Sequence, residues 1–301
     1  MTHLLLILAL VAGALPSVPL TPRNTSLRIA VTGDTGQGAD AVAEGIRRVH
    51  TEKPLDAIIL AGDNFYPCGV TSERDPRWSL VRALTNSGVP VFPVLGNHDF
   101  CGKADPDAQI RATGVIPNWT FPAGQYVVRA TVADFAFIDT TSYLRRKSAP
   151  ALAEAFRSST AAWRVVVGHH PVISSGYHGY FPRAEVKRMR ELIPALRETH
   201  ADLYICGHDH HLELIRGRML HLISGAGSSP IPPVKLRTTT VFPSEIGRER
   251  IGFAVVELDA RSIRVRFYDA NARPRSDWIV TSRTSRSPSR TTNSPSSPPR
   301  D

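Results

Sequence analysis

Five short polar clusters hold the residues best suited to chemistry. They read Gly33-Asp-Thr-Gly36, Gly62-Asp-Asn-Phe-Tyr66, Gly96-Asn-His-Asp99, Gly168-His-His170 and Gly207-His-Asp-His210. Between them they offer seven donors that suit a metal: Asp34, Asp63, Tyr66, Asn97, His169, His208 and His210. One ion takes about four to six ligands, so seven exceed what a single ion needs. Two ions sharing one carboxylate would use all seven. Asp63 is the bridging candidate, because a carboxylate has two oxygens to divide. His208 and His210 lie two apart and point the same way in an extended chain, so one can serve each ion. Asn97 is a neutral oxygen donor that keeps the negative charge down. Each cluster alone is a weak signal; five in this order form a strong one. His50, His200 and His221 belong to no motif and are read as structural or surface residues. His170 and His211 adjoin ligands and are placed at the cleft without a role.

The clusters close apolar runs. Strands are expected over 27–34, 57–63, 89–97, 163–170 and 201–209, with a strand pair over 125–140, extended chain over 212–227 and two closing strands near 251–259 and 262–270. Helices are expected over 38–53, near 76–87, near 150–161 and over 182–198, where Met189, Leu192, Ile193 and Leu196 recur at helical spacing. Alternating strands and helices indicate an α/β domain. Closing strands without helices imply a mixed sheet or two sheets. In such folds strand ends on one edge line the ligand crevice, so the five clusters are expected to converge. The glycine opening each cluster suits a sharp exit from the strand.

Composition bounds the rest. The chain has 301 residues, 42% hydrophobic, enough for one large packed domain, expected over 27–281. Leu4–Ala14 is an apolar run too short to cross a bilayer, with Ala12 and Ala14 at its end at leader-cleavage spacing. Residues 1–19 are therefore expected to be a signal peptide and the protein to be secreted or periplasmic. Residues 282–301, rich in Ser, Pro, Arg and Thr, are expected to be disordered. Cys68 and Cys101 flank site motifs and would pair after export; Cys206 reads as a buried free thiol. The net charge of +9 suits anionic substrates or surfaces, with no pattern for specific nucleic-acid recognition and no membrane span. A monomer is expected.

The five motifs resemble those of the metallophosphoesterase superfamily, and within it the purple acid phosphatases of the small, tartrate-resistant type. The family pattern D-x-G, G-D-x-x-Y, G-N-H-D/E, V-x-x-H and G-H-x-H is met by Asp34–Gly36, Gly62–Tyr66, Gly96–Asp99, Val166–His169 and Gly207–His210. The resemblance implies a four-layer α/β/β/α sandwich with two mixed β-sheets. It implies Fe(III) held by Asp34, Asp63, Tyr66 and His210, and a divalent Fe, Zn or Mn held by Asp63, Asn97, His169 and His208. The Tyr66 phenolate would favour the trivalent ion and colour the protein. The implied activity is hydrolysis of phosphate monoesters at acid pH by hydroxide generated at the metal centre. His98 would bind phosphate and act as general acid, and His178 would be a second active-site histidine. Small phosphate esters are the implied substrates, with phosphoproteins or nucleotides as further candidates. Residues 228–250 do not match the animal enzymes' loop over the site. Two other readings compete: a Mn or Zn phosphoesterase acting on diesters or nucleotides, and a non-catalytic iron- or phosphate-binding exoprotein.

Overall fold

The structure, a computed structural model, describes residues 14–243 and 251–281. Most of the leader and the whole basic tail lie outside the described residues. Strand residues sort by parity onto two faces. On β5 (Tyr126–Ala130), β6 (Ala133–Phe137), β7 (Trp163–Val167) and β8 (Leu203–Cys206), one face carries Tyr126, Val128, Phe135, Phe137, Val165, Val167, Leu203 and Ile205. The other carries Val127, Ala136, Val166, Tyr204 and Cys206. Both faces are largely buried, so these strands read as mostly apolar runs, broken only by Arg129, Asp134 and Arg164, rather than as alternating ones.

The inner face meets a second sheet. This sheet contains β2 (Leu27–Thr32), β3 (Ala57–Leu60), β4 (Val91–Pro93), β12 (Gly252–Leu258), β13 (Ser262–Asp269) and β14 (Trp278–Thr281), in the order β14-β13-β12-β2-β3-β4. The first sheet adds β1 (Ser17–Leu20), β9 (Leu212–Ile215), β10 (Leu220–Ser224) and β11 (Thr240–Pro243), in the order β1-β5-β6-β7-β8-β10-β9-β11. Both sheets mix parallel and antiparallel pairs.

Helix α1 (Asp40–Glu52) lies on β12 and β13 through Val42, Ile46 and Val49. The short α2 (Arg82–Thr85) and α3 (Pro106–Arg111) follow β3 and β4, and α4 (Thr140–Leu144) follows β6. The outer face of the larger sheet is covered by α5 (Leu152–Phe156), α7 (Ala184–Arg190) and α8 (Ile193–Glu198); α6 (Tyr177–Tyr180) is one turn in the loop after β7. The architecture is the expected α/β/β/α sandwich with two mixed sheets.

Local departures have local causes. The expected helix 182–198 is two helices, because Pro194 cannot donate to Arg190 and its ring crowds that carbonyl. The expected helix near 76–87 begins as a 3-10 turn at Pro76–Val81, and the strand expected over 89–97 shortens to Val91–Pro93. Strands β1, β11 and β14 lie outside the expected set. Ser17–Leu20 pairs with Val127–Ala130, so a leader reaching residue 19 would remove most of an edge strand.

His221, on β10, is buried, and burial lowers its imidazole to about 4. The unfolded chain takes up this proton near 6.5, before the folded chain does. Stability from a neutral His221 is therefore complete above pH 6.5 and is lost as pH falls toward 4. The loss is about 2 kcal/mol at pH 5. His221→Leu should narrow the gap between denaturant stabilities at pH 7 and pH 5 by that amount; an unchanged gap would refute the assignment.

Candidate metal centre

The five clusters leave the carboxyl ends of parallel strands. Asp34, Asp63 and Asn97 follow β2, β3 and β4, which are neighbours; His169 and His208 follow β7 and β8, also neighbours. The two sheets therefore present one edge to one cleft. Leaving the strands is strained. Asp34, Asp63 and His208 all have left-handed backbones, with φ of 57°, 51° and 67°. Such conformations cost free energy outside glycine and concentrate at functional sites. Space is also tight: a Cβ on Gly96 would lie 2.1 Å from Asp63 Oδ1.

The seven predicted donors meet as two groups of four. Tyr66 Oη lies 3.1 Å from Asp34 Oδ1, 3.0 Å from Asp63 Oδ2 and 3.1 Å from His210 Nε2. His169 Nε2 lies 3.2 Å from Asn97 Oδ1, 3.1 Å from His208 Nδ1 and 3.3 Å from Asp63 Oδ1. Asp63 gives one oxygen to each group. Neighbouring ligands on one ion with bonds of about 2.1 Å stand about 3 Å apart, which is the spacing here. His208 and His210 enter different groups, one each, but not through an extended chain as expected: His208 has a left-handed backbone.

The histidine tautomers fit the same arrangement. His169 Nδ1 faces the Ala61 carbonyl at 2.8 Å, and His210 Nδ1 faces the Ser229 carbonyl at 2.8 Å. A carbonyl only accepts, so each Nδ1 carries the hydrogen and each Nε2 turns a lone pair inward. His208 reverses the roles: its Nε2 donates to Glu185 Oε1 at 3.0 Å, leaving Nδ1 inward. Metal-bound histidines are held in this way by outer acceptors.

Electrostatics favour a cation. Burial opposes ionisation of Asp63, but His169 outweighs it and holds the carboxyl well below the carboxylate range. Burial lowers His169, yet Asp63 pushes it up to about 10; burial also lowers His210, yet Asp34 pushes it up to about 9. Protons are thus drawn to positions where metal would displace them. Burial and then Asp34 and Asp63 push the Tyr66 phenol far up, so its deprotonation needs a strong local positive charge.

His98 is tied to the first group's loop. Its Nδ1 donates to Pro67 O at 2.7 Å, and its Nε2 lies 4.0 Å from Asp63 Oδ2. Cys68 and Cys101 form a disulfide that joins the Tyr66 and His98 loops. The His178 ring centre lies 4.0 Å from that of His208.

Several supporting residues were missed. Asp209, between two proposed ligands, accepts from the His178 and Gly179 amides at 2.8 and 3.0 Å. Buried Asp99 accepts from Gly96 N and Gln109 Nε2 and fixes the Asn97 turn. Glu213 takes Ser175, His211 and Thr240 into one buried network. In the described part of loop 228–250, Arg237 donates to Ser174 O and Gly179 O. Asp99 and Asp209 stood inside recognised motifs; Glu185 and Glu213 had no local signal.

Residues 27–212 match the calcineurin-like phosphoesterase family. The chain belongs to that family, and within it to the purple acid phosphatases. It is 30% identical over 237 residues to purple acid phosphatase 7 of Arabidopsis thaliana, covering 67% of this chain and 70% of that protein. It is 27% identical over 322 residues to human tartrate-resistant acid phosphatase type 5, covering 89% and 94%. Among solved structures, it resembles GAP50, described as the anchor in the inner membrane complex of Plasmodium. That match has a TM-score of 0.73 at 25% identity, covering 87% of this chain and 90% of the other.

Proposed function

We propose that the protein is an exported acid phosphatase that hydrolyses phosphate monoesters at a binuclear Fe(III)–M(II) centre, with M being Fe, Zn or Mn. The observation that carries this reading is the division of seven donors into two groups through the two oxygens of Asp63. Bound ions would supply Lewis acidity toward phosphoryl oxygens and acidify water. Asp34, Asp63, Tyr66 and His210 would hold the ferric ion, since two carboxylates and a phenol are hard, anionic donors. Asp63, Asn97, His169 and His208 would hold the divalent ion with less negative charge.

The chain's other residues orient substrate and handle the proton. His98 commits Nδ1–H to Pro67, which leaves Nε2 to bind phosphate and, when charged, to protonate the leaving oxygen. His178 stands beside His208 on a backbone fixed by Asp209, placed to bind the same substrate. No protein nucleophile is required. The Cys206 thiol is buried, and burial pushes it well up, away from thiolate.

The leader pattern and the Cys68–Cys101 disulfide support export to an oxidising compartment. Strand β1 favours a leader ending at Ala14 rather than residue 19. Among the described residues no helix is long and apolar enough to cross a membrane. The proposed protein is a monomer acting on small phosphate esters, with phosphoproteins or nucleotides as further candidates. An aryl phosphate monoester and the matching diester, assayed near pH 5, test this reading. Monoester turnover should exceed diester turnover by at least about a hundredfold in kcat/KM. Preference for the diester, with full activity in iron-free Mn or Zn protein, would favour the alternative phosphoesterase; no turnover of either would overturn both.

A further inference from the structure

Glu185, in the first turn of α7, has two neighbourhoods. One side meets the metal centre: Oε1 lies 3.0 Å from His208 Nε2 and 4.0 Å from His178 Nδ1. The other side lines an open cleft of about 430 Å³ between α4 and α7. That cleft also carries Arg145, Arg146, Lys187 and Arg188, with Glu191 as its only other acid. Arg188 is engaged by Glu191 and by the Tyr143 ring, and Glu185 is engaged by His208. Arg145, Arg146 and Lys187 have no ion pair among the described residues and face solvent. The cleft reaches the catalytic loop on its other flank as well. The Arg145 guanidinium carbon is 5.2 Å from the centre of the Phe100 ring, two residues after His98.

A second hollow of about 370 Å³ continues the basic surface through Arg183, Lys187 and Arg190. Arg183 stacks 4.1 Å from the Tyr177 ring, next to His178. Six cations thus stand against two carboxylates along a surface that begins at the two proposed catalytic histidines. Like charges repel when left together, so such a grouping favours an anion that bridges them. Arginine forks match phosphate oxygens in pairs. A cleft of this volume takes a small molecule rather than a protein surface. The rings beside these hollows are each already met by a guanidinium, Tyr143 by Arg188, Phe100 by Arg145 and Tyr177 by Arg183, which disfavours stacking of a base there.

We propose that the α4–α7 cleft is a leaving-group subsite, in which Arg145, Arg146 and Lys187 bind a second phosphate on the substrate. The substrate class is a multiply phosphorylated sugar or polyol, with one phosphate at the metal centre and another in the cleft. This rests on the phosphatase reading and adds a specificity to it. Binding of the second phosphate acts mainly on KM, because the cleft lies beyond the bond that breaks.

The test compares fructose 1,6-bisphosphate, fructose 6-phosphate and an aryl phosphate on the metal-loaded protein. Wild type should show a KM for the bisphosphate about tenfold below that for the monophosphate. The double variant Arg146→Ala/Lys187→Ala should raise the bisphosphate KM about tenfold and leave kcat and KM for the aryl phosphate within about twofold. High salt should shrink the wild-type preference, since the cleft is open to solvent. Equal effects on all three substrates, or none, would overturn the subsite while leaving the phosphatase reading intact. Should wild type fail to turn over the aryl phosphate, the phosphatase reading falls instead. Thermal-shift titration with the bisphosphate then reads the cleft directly. Saturable stabilisation lost in the double variant supports the site, and absence of stabilisation in wild type overturns it. A preference for ATP over the sugar bisphosphate would also overturn the assigned class.

Discussion

Asn97→Ala is expected to lower kcat against an aryl phosphate by about a thousandfold or more and to reduce bound metal from the two ions per chain proposed for the wild type to one. Asn97 Oδ1 lies 3.2 Å from His169 Nε2, and alanine leaves that group one donor short. His208→Ala should do the same, because it removes Nδ1 from that group and also strands Glu185 without its imidazole partner. The magnitude follows from losing one of two charges that stabilise the phosphoryl transition state. Elemental analysis beside the assay separates this from misfolding. Two ions retained at full occupancy in either variant would refute the proposed ligand set.

His98→Ala is expected to keep both ions and lose about 10²- to 10⁴-fold in kcat. Its ring comes within 4.0 Å of Asp63 and packs edge-on against Tyr66 with ring centres 4.4 Å apart, but it supplies no atom to either donor group, so its removal leaves both groups whole. The Nδ1–Pro67 bond aims Nε2, and a proton donor matters most when the leaving group is a poor one. The loss should therefore be larger for alkyl than for aryl phosphates. Equal losses for both would reduce His98 to a phosphate binder, and wild-type rates would remove it from the mechanism.

Much of this site was legible because short motifs sit at strand ends. Gly–Asp and Gly–His pairs after apolar runs mark sharp exits, and exits from parallel neighbours share one edge. Asp34, Asp63 and Asn97 came together for that reason, as did His169 and His208. The supporting groups were less legible because their positions are set by tertiary packing. Glu185 is 23 residues before His208 and reaches it only because α7 lies over the larger sheet. Nothing in "RAEVK" distinguishes it from a solvated helix glutamate. Strands β1 and β14 escaped notice because edge strands bury little and carry weak patterns. The break between α7 and α8 was readable, since Pro194 stands inside the periodic run. There the apolar spacing concealed a local backbone rule.

Tyr66 is the residue on which the ferric reading turns, because burial and two carboxylates keep its phenol protonated without a strong cation. The most direct measurement is metal content with the visible spectrum of the exported protein and of Tyr66→Phe. Two ions per chain, at least one of them iron, and a visible charge-transfer band lost in Tyr66→Phe are expected. A fully active wild-type protein without iron, or a band unchanged in the variant, would contradict the account.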